Sequence, residues 1–364
     1  MVGFMVGESG GGPLLLQNHR FLQHNLLYLP KLLLLLEYYF LSNLFQISPM
    51  KKDKTELNSD SSYRHHIPVM LQEVLKYLKL EGDSTILDAT FGAGGYSKAI
   101  LNYNKSCKVI GSDRDKNVEV FAKSIKQKYG DRFSFANLKF SELKDNFSDN
   151  SFDGIVVDLG VSSMQIDNAD RGFSFNKEAP LNMTMGKNGF NAYDVVNSFN
   201  EEKLASIIKN YGEETKSKII AKKIADYRKY KAIETTTELA RIIHSCFPQM
   251  GRIDNATKTF QAIRIFVNDE LRELEILLND SIELLKSGGR LVVVSFHSLE
   301  DGIVKNFFKK VGNLKREKVN KYSEQPEIKS IFNIITKKPI VVSTEEAAMN
   351  QRSRSAKLRC AIKC

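Results

Sequence analysis

The sequence predicts an α/β fold in which a parallel sheet is interrupted by a run of helices. Short apolar segments alternate with segments of helical period up to about residue 170, the stretch 171–252 shows helical period alone, and the alternation then resumes. Strands separated by helices are typical of parallel sheets, because a parallel pair needs a crossover connection. The chain has 364 residues, 42% of them hydrophobic, which is enough to bury a large core.

The first half of the chain predicts four strands. Leu71, Val74, Leu75 and Leu78 share one face of a helix, and a strand over 85–88 follows. A glycine-rich turn over 92–95 then leads into a helix. The next strands are predicted at 107–113, 132–137 and 153–158, and the last of these is an unbroken apolar run typical of a strand buried on both faces.

The second half predicts a helical insertion and the rest of the sheet. Helical segments cover 204–211 and the basic stretch 216–231. Apolar residues then recur at spacings of three and four from Phe260 to Ile282, which predicts one long amphipathic helix that ends at Gly288-Gly289. Further strands are predicted at 290–296, 331–335 and 356–362. The domains are therefore 63–170 with 253–364 for the sheet, and 171–252 for the inserted helical domain.

Residues 1–62 differ from the rest and are interpreted as a disordered or over-extended leader. Their leucine-rich stretch is interrupted by Pro30, Lys31 and Glu37 and is shorter than the roughly 18 apolar residues of a membrane span. A peripheral amphipathic segment is the alternative. The cysteines are Cys107, Cys246, Cys360 and Cys364, and their spacing does not match a zinc site. We expect a reduced, cytoplasmic protein without a metal and without a membrane partner.

The charge of the chain favours a polyanionic partner. The formal net charge is +10 and the isoelectric point is near 9.2, and clustered cations bind phosphates by displacing counterions. Two basic groups are candidates for this contact, and a solvated surface is the alternative for both. The first is Lys216, Lys218, Lys222, Lys223, Arg228 and Lys229, and the second is Arg352, Arg354, Lys357 and Arg359.

The turn Gly92-Ala93-Gly94-Gly95 indicates a ligand that approaches the backbone closely, since glycine has no Cβ and adopts positive φ. Asp113 follows Gly95 by 18 residues, at the end of the next predicted strand. A carboxylate there accepts hydrogen bonds from ribose hydroxyls. Together these features predict a nucleoside-bearing cofactor.

Asp88, at the end of the first predicted strand, indicates that this cofactor is cationic. Its charge would repel a pyrophosphate but attract a sulfonium or an amino group. In the alternative interpretation, Asp88 caps the turn by accepting hydrogen bonds from backbone amides.

Asp158 ends the fourth predicted strand and is the candidate catalytic residue. An acceptor there could hold the hydrogens of an exocyclic amine and so localise the lone pair that attacks the methyl group. The alternative is that Asp158 only holds the cofactor. His297, at the end of the fifth strand, is interpreted first as a hydrogen-bonded structural residue and only second as a general base.

The motifs, taken in order over 64–363, resemble the bacterial 16S rRNA cytosine-N4 methyltransferases of the MraW family. The resemblance rests on the following motifs: His66-Ile67-Pro68-Val69-Met70-Leu71, Asp88-Ala89-Thr90-Phe91-Gly92-Ala93-Gly94-Gly95, Asp113-Arg114-Asp115, Asp158-Leu159-Gly160-Val161-Ser162-Ser163, Arg171-Gly172-Phe173-Ser174-Phe175, Thr259-Phe260-Gln261-Ala262-Ile263-Arg264-Ile265, Ser295-Phe296-His297-Ser298-Leu299-Glu300-Asp301 and Arg354-Ser355-Ala356-Lys357-Leu358-Arg359.

The resemblance implies a Rossmann-like class I methyltransferase sheet with an inserted helical substrate-recognition domain. It implies S-adenosyl-L-methionine as cofactor and N4-methylation of a cytidine in the decoding region of 16S rRNA within the 30S subunit. Oligomeric state stays open. The cofactor contacts that it implies are Gly94, Gly95, Tyr96, Asp113, Phe140, Asp158 and Gln165.

The sequence also departs from the family pattern. Pro-Leu-Asp-Met-Arg-Met is here Pro-Leu-Asn182-Met-Thr184-Met, the His-Pro before the Ala-Thr-Arg-Thr-Phe-Gln pattern is Asp254-Asn255, and the third residue of Gly-Gly-His is Tyr96. Two rivals follow: a methyltransferase for another base amine in DNA or RNA, and a catalytically silent ribosome-assembly factor. The loss of an Asp and an Arg in the insertion bears on substrate affinity and keeps the second rival open.

Overall fold

The computed structural model describes residues 68–186, 189–248, 254–312 and 330–364, all within the compact unit His65–Cys364. The predicted leader 1–62 lies outside the described residues, as do His66 and Ile67 of the first motif. Within the described ranges no helix has the length and apolarity needed to cross a membrane.

An eight-stranded sheet forms the centre of the fold, which confirms the α/β prediction. The strand order is β3-β2-β1-β4-β5-β8-β6, with β7 also paired to β8. The first five strands run parallel, and β8 is antiparallel to its neighbours. The strands are β1 Thr85–Asp88, β2 Lys108–Ser112, β3 Phe133–Ala136, β4 Phe152–Asp158, β5 Leu285–Ser295, β6 Phe332–Ile334, β7 Ile340–Val341 and β8 Lys357–Lys363.

The α-helices fall before, between and after these strands. They are α1 Leu71–Leu78, α2 Gly95–Tyr103, α3 Glu119–Tyr129, α4 Leu143–Asn146, α5 Ser163–Asp167, α6 Ala192–Ser198, α7 Glu201–Gly212, α8 Ser217–Tyr227, α9 Thr236–His244, α10 Ala256–Asn268, α11 Glu270–Leu284, α12 Ser298–Val311 and α13 Thr344–Met349. The first helix and the first four strands lie within two residues of their predicted positions.

The two faces of the sheet pack against separate apolar clusters. Ile86 and Val156 belong to one cluster, whereas the neighbouring Leu87 and Val157 belong to the other, so side chains alternate across the sheet as the pleat requires. Both faces are therefore covered by helices, as is usual for parallel strands.

A third apolar cluster, which we call the helical cluster, lies between Leu181 and Val267 and is formed mainly by α6–α10. It contains the stretch predicted as an insertion. It also takes in α10, which the sequence boundaries assign to the sheet domain. The boundaries at 170 and 252 stay predictions.

The prediction of one long helix from Phe260 to Ile282 is wrong. The helix breaks at Asp269, which has φ 51° and ψ 36° and separates α10 from α11. Asn268, just before the break, is fully buried, and its side chain binds the backbone of Met183 and Met185. An apolar periodicity does not detect this break, because the period continues across it.

The prediction that Gly288-Gly289 ends the helix is also wrong. Helix α11 ends at Leu284, and β5 begins at Leu285 and runs through the glycine pair. The pairing of β4 with β5 is irregular between Phe152 and Gly154, and a Cβ on Gly289 would lie 3.1 Å from the Phe152 carbonyl oxygen. Gly289 therefore permits a close approach within the sheet, and neither glycine caps a helix.

The five parallel strands bring their carboxyl ends to one edge of the sheet, which we call the carboxyl edge. Asp88 is in register with Gly111 of β2 and Val156 of β4, and Asp158 is in register with Val294 of β5. Ligands of open α/β sheets bind at such an edge.

Candidate functional site

The turn after β1 holds backbone at the carboxyl edge where side chains would not fit. Gly94 has φ 74°, and a Cβ there would lie 2.2 Å from Cδ1 of Ile125. A Cβ on Gly95 would lie 2.4 Å from Cγ of Pro68. Helix α2 begins at Gly95, so its first amide groups face the edge. Only glycine is accommodated at these two positions without displacing a neighbour.

Asp113 is attached directly to this turn, as its candidate role requires. Its Oδ2 accepts a hydrogen bond from the Gly92 amide at 2.8 Å, and its Oδ1 accepts one from the Asp115 amide at 2.9 Å. Burial raises the pKa of Asp113 to about 6, although both backbone hydrogen bonds oppose this. Each carboxylate oxygen has two lone pairs, so acceptor capacity remains for a ribose.

The contacts of Asp88 agree with the capping interpretation and leave one of its oxygens unpaired. Its Oδ2 accepts hydrogen bonds from the Ser97 amide at 3.2 Å and the Ser97 hydroxyl at 2.7 Å. Its Oδ1 is buried and has no hydrogen-bond partner among the described residues. Burial raises the pKa of Asp88 to about 6. One oxygen therefore fixes α2, and the other is left to a ligand.

Asp158 presents a second unpaired oxygen at the same edge. Its amide donates to Oγ1 of Thr90 at 2.6 Å, which ties β4 to the turn after β1. Its Oδ1 is buried and lacks a partner among the described residues. Burial, with the nearby charges of Asp88 and Glu300, raises the pKa of Asp158 well above its usual range. A cation bound at this edge would reverse that effect.

His297 caps α12 and faces Glu300. Its Nδ1 accepts a hydrogen bond from the Glu300 amide at 3.4 Å, and its Nε2 lies 3.0 Å from Oε1 of Glu300. Burial alone would raise the pKa of Glu300, but its contacts with His297, the Phe296 amide and Arg264 together outweigh burial and lower the pKa. The contacts agree with the structural interpretation of His297.

The side chains of Tyr96 and Gln165 are already engaged. The Tyr96 hydroxyl donates to the Val69 carbonyl oxygen, and burial raises the pKa of Tyr96 well above its usual range. The amide of Gln165 accepts from the Ser162 backbone at 3.0 Å and donates to Asp115 at 3.0 Å. Tyr96 therefore has only its backbone to offer a ligand. Gln165, whose backbone N–H is bonded to Ser162 in the cap of α5, has spare acceptor capacity only at its carbonyl oxygens.

Phe140 lies just beyond the end of β3. It is partly buried and packs against the apolar cluster that contains Leu87 and Leu143. An aromatic ring fixed in this way provides an apolar wall.

Asp115 and Arg171 form a buried pair that the sequence did not single out for a role. Oδ2 of Asp115, 3% exposed as a residue, lies 2.8 Å from Nη1 of Arg171, and Nη2 of Arg171 donates to the Thr184 carbonyl oxygen at 2.8 Å. The pair connects the loop after β2 to the segment that follows the predicted domain boundary. Both residues lie in motifs that carry the family resemblance, and nothing else in the sequence indicated that they form a pair.

Asn182 and Thr184, which depart from the family pattern, are hydrogen-bonded to each other. Oδ1 of Asn182 accepts hydrogen bonds from the Thr184 hydroxyl at 2.6 Å and the Thr184 amide at 3.2 Å. The Met185 amide is held by Asn268 at 2.8 Å. The segment is therefore a turn held by side-chain and backbone hydrogen bonds, although it lacks the family's charges.

The edge fits a cationic cofactor that carries a nucleoside. Asp88 offers an unpaired carboxyl oxygen to a positive group, the glycine turn offers close backbone, and Asp113 offers an acceptor for ribose, while the unpaired oxygen of Asp158 lies at the same edge. The described residues contain no group of three or more His, Cys, Asp or Glu side chains that could hold a metal ion.

Comparison with known proteins supports a cofactor of this kind, because the similar proteins are methyltransferases. Residues 63–364 match the profile of the MraW methylase family. The Ribosomal RNA small subunit methyltransferase H of Rickettsia prowazekii is 52% identical over 305 residues, which cover 82% of this chain and 99% of that protein. The protein of the same name from Rickettsia akari is 51% identical and covers 82% of this chain and 98% of its own length.

Among solved structures, an rRNA methylase from Streptococcus thermophilus is 12% identical, with a TM-score of 0.34, and covers 82% of this chain and 98% of its own. The family match spans every described residue. The chain therefore belongs to the MraW methylase family and is a methyltransferase that uses S-adenosylmethionine.

Proposed function

We propose that this protein methylates N4 of a cytidine in the decoding region of 16S rRNA within the 30S subunit, and that it does so in the cytoplasm. The names of the Rickettsia relatives support a small-subunit rRNA substrate. The net charge of +10 agrees with a polyanionic partner. The observation that carries the proposal is the unpaired Oδ1 of Asp158 at the carboxyl edge.

The cofactor supplies an electrophilic methyl group on a sulfonium. Asp113 would accept hydrogen bonds from its ribose, Phe140 would form a wall for its adenine, and the backbone of Gly94, Gly95 and Tyr96 would hold it at close range. Gln165 supports this arrangement through Asp115, whose amide is held by Asp113.

Asp158 orients the target amine. The lone pair of a cytosine amine is delocalised into the ring, and an acceptor that holds an N–H of the amine localises it on nitrogen. Oδ1 of Asp158 has no other partner among the described residues and can accept this hydrogen bond. A bound cation lowers the pKa of Asp158, so its carboxylate also accepts the proton that the amine must lose after methylation.

His297 does not compete for this role. Its Nδ1 accepts the Glu300 amide in the cap of α12, and its Nε2 lies 3.0 Å from the Glu300 carboxylate as an ion-pair contact, without an aligned hydrogen bond among the described residues. To act as a base, His297 would have to release that contact and uncover the buried charge of Glu300, which is costly.

The inserted stretch 171–252 is proposed as the substrate-recognition domain. Its helices pack on one another in the helical cluster, and the Asp115–Arg171 pair fixes the start of the insertion to the cofactor loop. The ordered Asn182–Thr184 turn supports a working insertion and weakens the assembly-factor alternative.

The decisive experiment is nucleoside mass spectrometry of 16S rRNA from cells with and without the gene. We expect N4-methylcytidine to be lost in the mutant and restored by purified protein, S-adenosylmethionine and mutant 30S particles. The appearance of a different methylated base would overturn the N4 assignment. If 30S particles bound the protein but remained unlabelled by radioactive cofactor, the chain would be an assembly factor.

A further inference from the structure

Helices α7 and α8 form a hairpin whose tip reaches the carboxyl edge. At the tip, the carboxylate of Glu213 accepts a hydrogen bond from the hydroxyl of Ser298, the first residue of α12 after β5. At the other end, Arg228 donates to the Val196 carbonyl oxygen at 2.6 Å and to the Phe199 carbonyl oxygen. Helix α8 therefore runs from the carboxyl edge toward the far side of the helical cluster.

Arg228 is thereby removed from the predicted phosphate-binding group. Its guanidinium is held by backbone carbonyl groups, and burial lowers its pKa. Most of the second predicted basic group already forms ion pairs with acidic residues. Arg352 pairs with Asp167, and both Lys357 and Arg359 pair with Asp301.

The outward face of α8 remains basic and exposed. Lys218, Ile219, Lys222 and Lys223 recur at helical spacing, while Ile220 and Ile224 on the other side are fully buried. The three lysines form no ion pair with any residue that the structure describes. Ile219 is 54% exposed in their midst.

Tyr230 lies in the turn that follows α8 and is 91% exposed. Both of its lysine neighbours form ion pairs, Lys229 with Asp226 at 2.7 Å and Lys231 with Glu238 at 3.1 Å. A tyrosine normally covers its ring against other apolar surface. An uncovered ring between two ion-paired lysines has the properties of a platform on which a base stacks.

We infer that Lys218, Ile219, Lys222, Lys223 and Tyr230, which we call the α8 track, bind single-stranded RNA that leads away from the modified nucleotide. The inference rests on the proposed RNA substrate. The lysines contact successive phosphates, and Tyr230 stacks on an unpaired base. An 11-residue helix is about 16 Å long, so this base lies a few nucleotides from the target.

The test is fluorescence anisotropy of a short, unstructured, cytidine-containing RNA at several salt concentrations. Three matched lysines provide a control: Lys305, Lys309 and Lys310 of α12 are exposed and form no ion pair within the described ranges. Helix α12 runs back to the opposite edge, where the Val311 carbonyl oxygen binds the Ile331 amide at the start of β6.

We expect K218Q/K222Q/K223Q to reduce the salt slope by about 2, since each phosphate contact on a single strand contributes about 0.7. K305Q/K309Q/K310Q should leave the slope unchanged. Tyr230→Ala should weaken binding about tenfold without changing the slope, whereas Tyr230→Phe, which keeps the ring, should bind like the wild type. Calorimetry should show unchanged S-adenosylmethionine affinity in all four variants.

The outcomes separate the two proposals. If the wild type methylates neither 30S particles nor free 16S rRNA, the proposed function fails. If it methylates 30S particles but does not bind the short RNA, the proposed function stands and the inference about the α8 track is overturned. If the wild type methylates RNA but both triple variants behave alike and Tyr230→Ala equals Tyr230→Phe, the α8 track is only a solvated surface and the inference is overturned.

Discussion

The buried carboxyl groups of the carboxyl edge and of the helical cluster differ in their hydrogen-bond partners. At the edge, Asp88 and Asp158 each keep a buried oxygen that lacks a partner among the described residues. In the helical cluster, Glu238 accepts from the Tyr227 hydroxyl at 2.7 Å, the Glu234 amide at 3.0 Å and Lys231 at 3.1 Å. An unpaired buried carboxyl group is costly, so its presence at one edge indicates a ligand that completes it.

The largest expected effect comes from the edge. Asp158→Asn removes the charge and replaces one acceptor oxygen by a donor that opposes the amine. Single-turnover rates at saturating cofactor should fall by about a hundredfold or more, with little change in cofactor affinity. Calorimetry and rapid-quench assays on the same preparation measure both quantities. Near-normal turnover at saturating cofactor would leave Asp158 as a cofactor ligand alone.

The second variant separates cofactor binding from chemistry. Asp113→Ala should weaken S-adenosylmethionine binding by about 30-fold, because hydrogen bonds to a charged acceptor contribute roughly 2 kcal/mol. The variant also frees the amides of Gly92 and Asp115. Asp113→Asn, which keeps an acceptor for one of them, is the milder control. Normal affinity in a protein whose near-ultraviolet circular dichroism is native would remove Asp113 from the cofactor site.

The sequence predicted the edge better than the helical cluster, for a physical reason. Gly94, Asp88 and Asp113 lie within short strand–turn–helix units, so local patterns locate them. The Asp115–Arg171 pair and the Asn268 contacts join residues far apart in the chain. The periodicity of apolar residues cannot predict such contacts, because it describes only neighbouring positions. For the same reason, Arg228 was grouped with solvent-exposed lysines although carbonyl groups of other elements hold it.

The third prediction concerns pH. The pKa of Asp88 and that of Asp113 are both raised to about 6, chiefly by burial. A bound cation favours the ionised carboxylates, so binding releases protons, and S-adenosylmethionine affinity should rise by about tenfold from pH 5 to pH 7. S-adenosylhomocysteine lacks the sulfonium charge and should show a smaller rise. Parallel pH profiles for the two ligands would contradict this account.

The same groups set the sign of the pH effect on stability. Because their pKa values are raised in the folded protein, they stabilise the fold at low pH, and this contribution is lost as pH rises through about 6. Asp88→Asn should therefore reduce the loss of stability of the cofactor-free protein between pH 5 and pH 7. Urea unfolding of the wild type and the variant at both pH values measures this change in the free energy of unfolding.

The smallest effect is expected from the paired acid of the helical cluster. Burial would raise the pKa of Glu238, but the Glu234 amide, Tyr227 and Lys231 together lower it. Glu238→Gln keeps one acceptor oxygen and should cost about 1–2 kcal/mol of unfolding free energy at pH 7. The difference from wild type should shrink as pH falls through the pKa of folded Glu238, because the wild-type carboxylate is then protonated. Urea unfolding measures the difference, and single-turnover rates should stay unchanged. A turnover loss as large as that of Asp158→Asn would show that the two regions are not separate, since an acid with all its partners inside the helical cluster would then be controlling chemistry at the carboxyl edge.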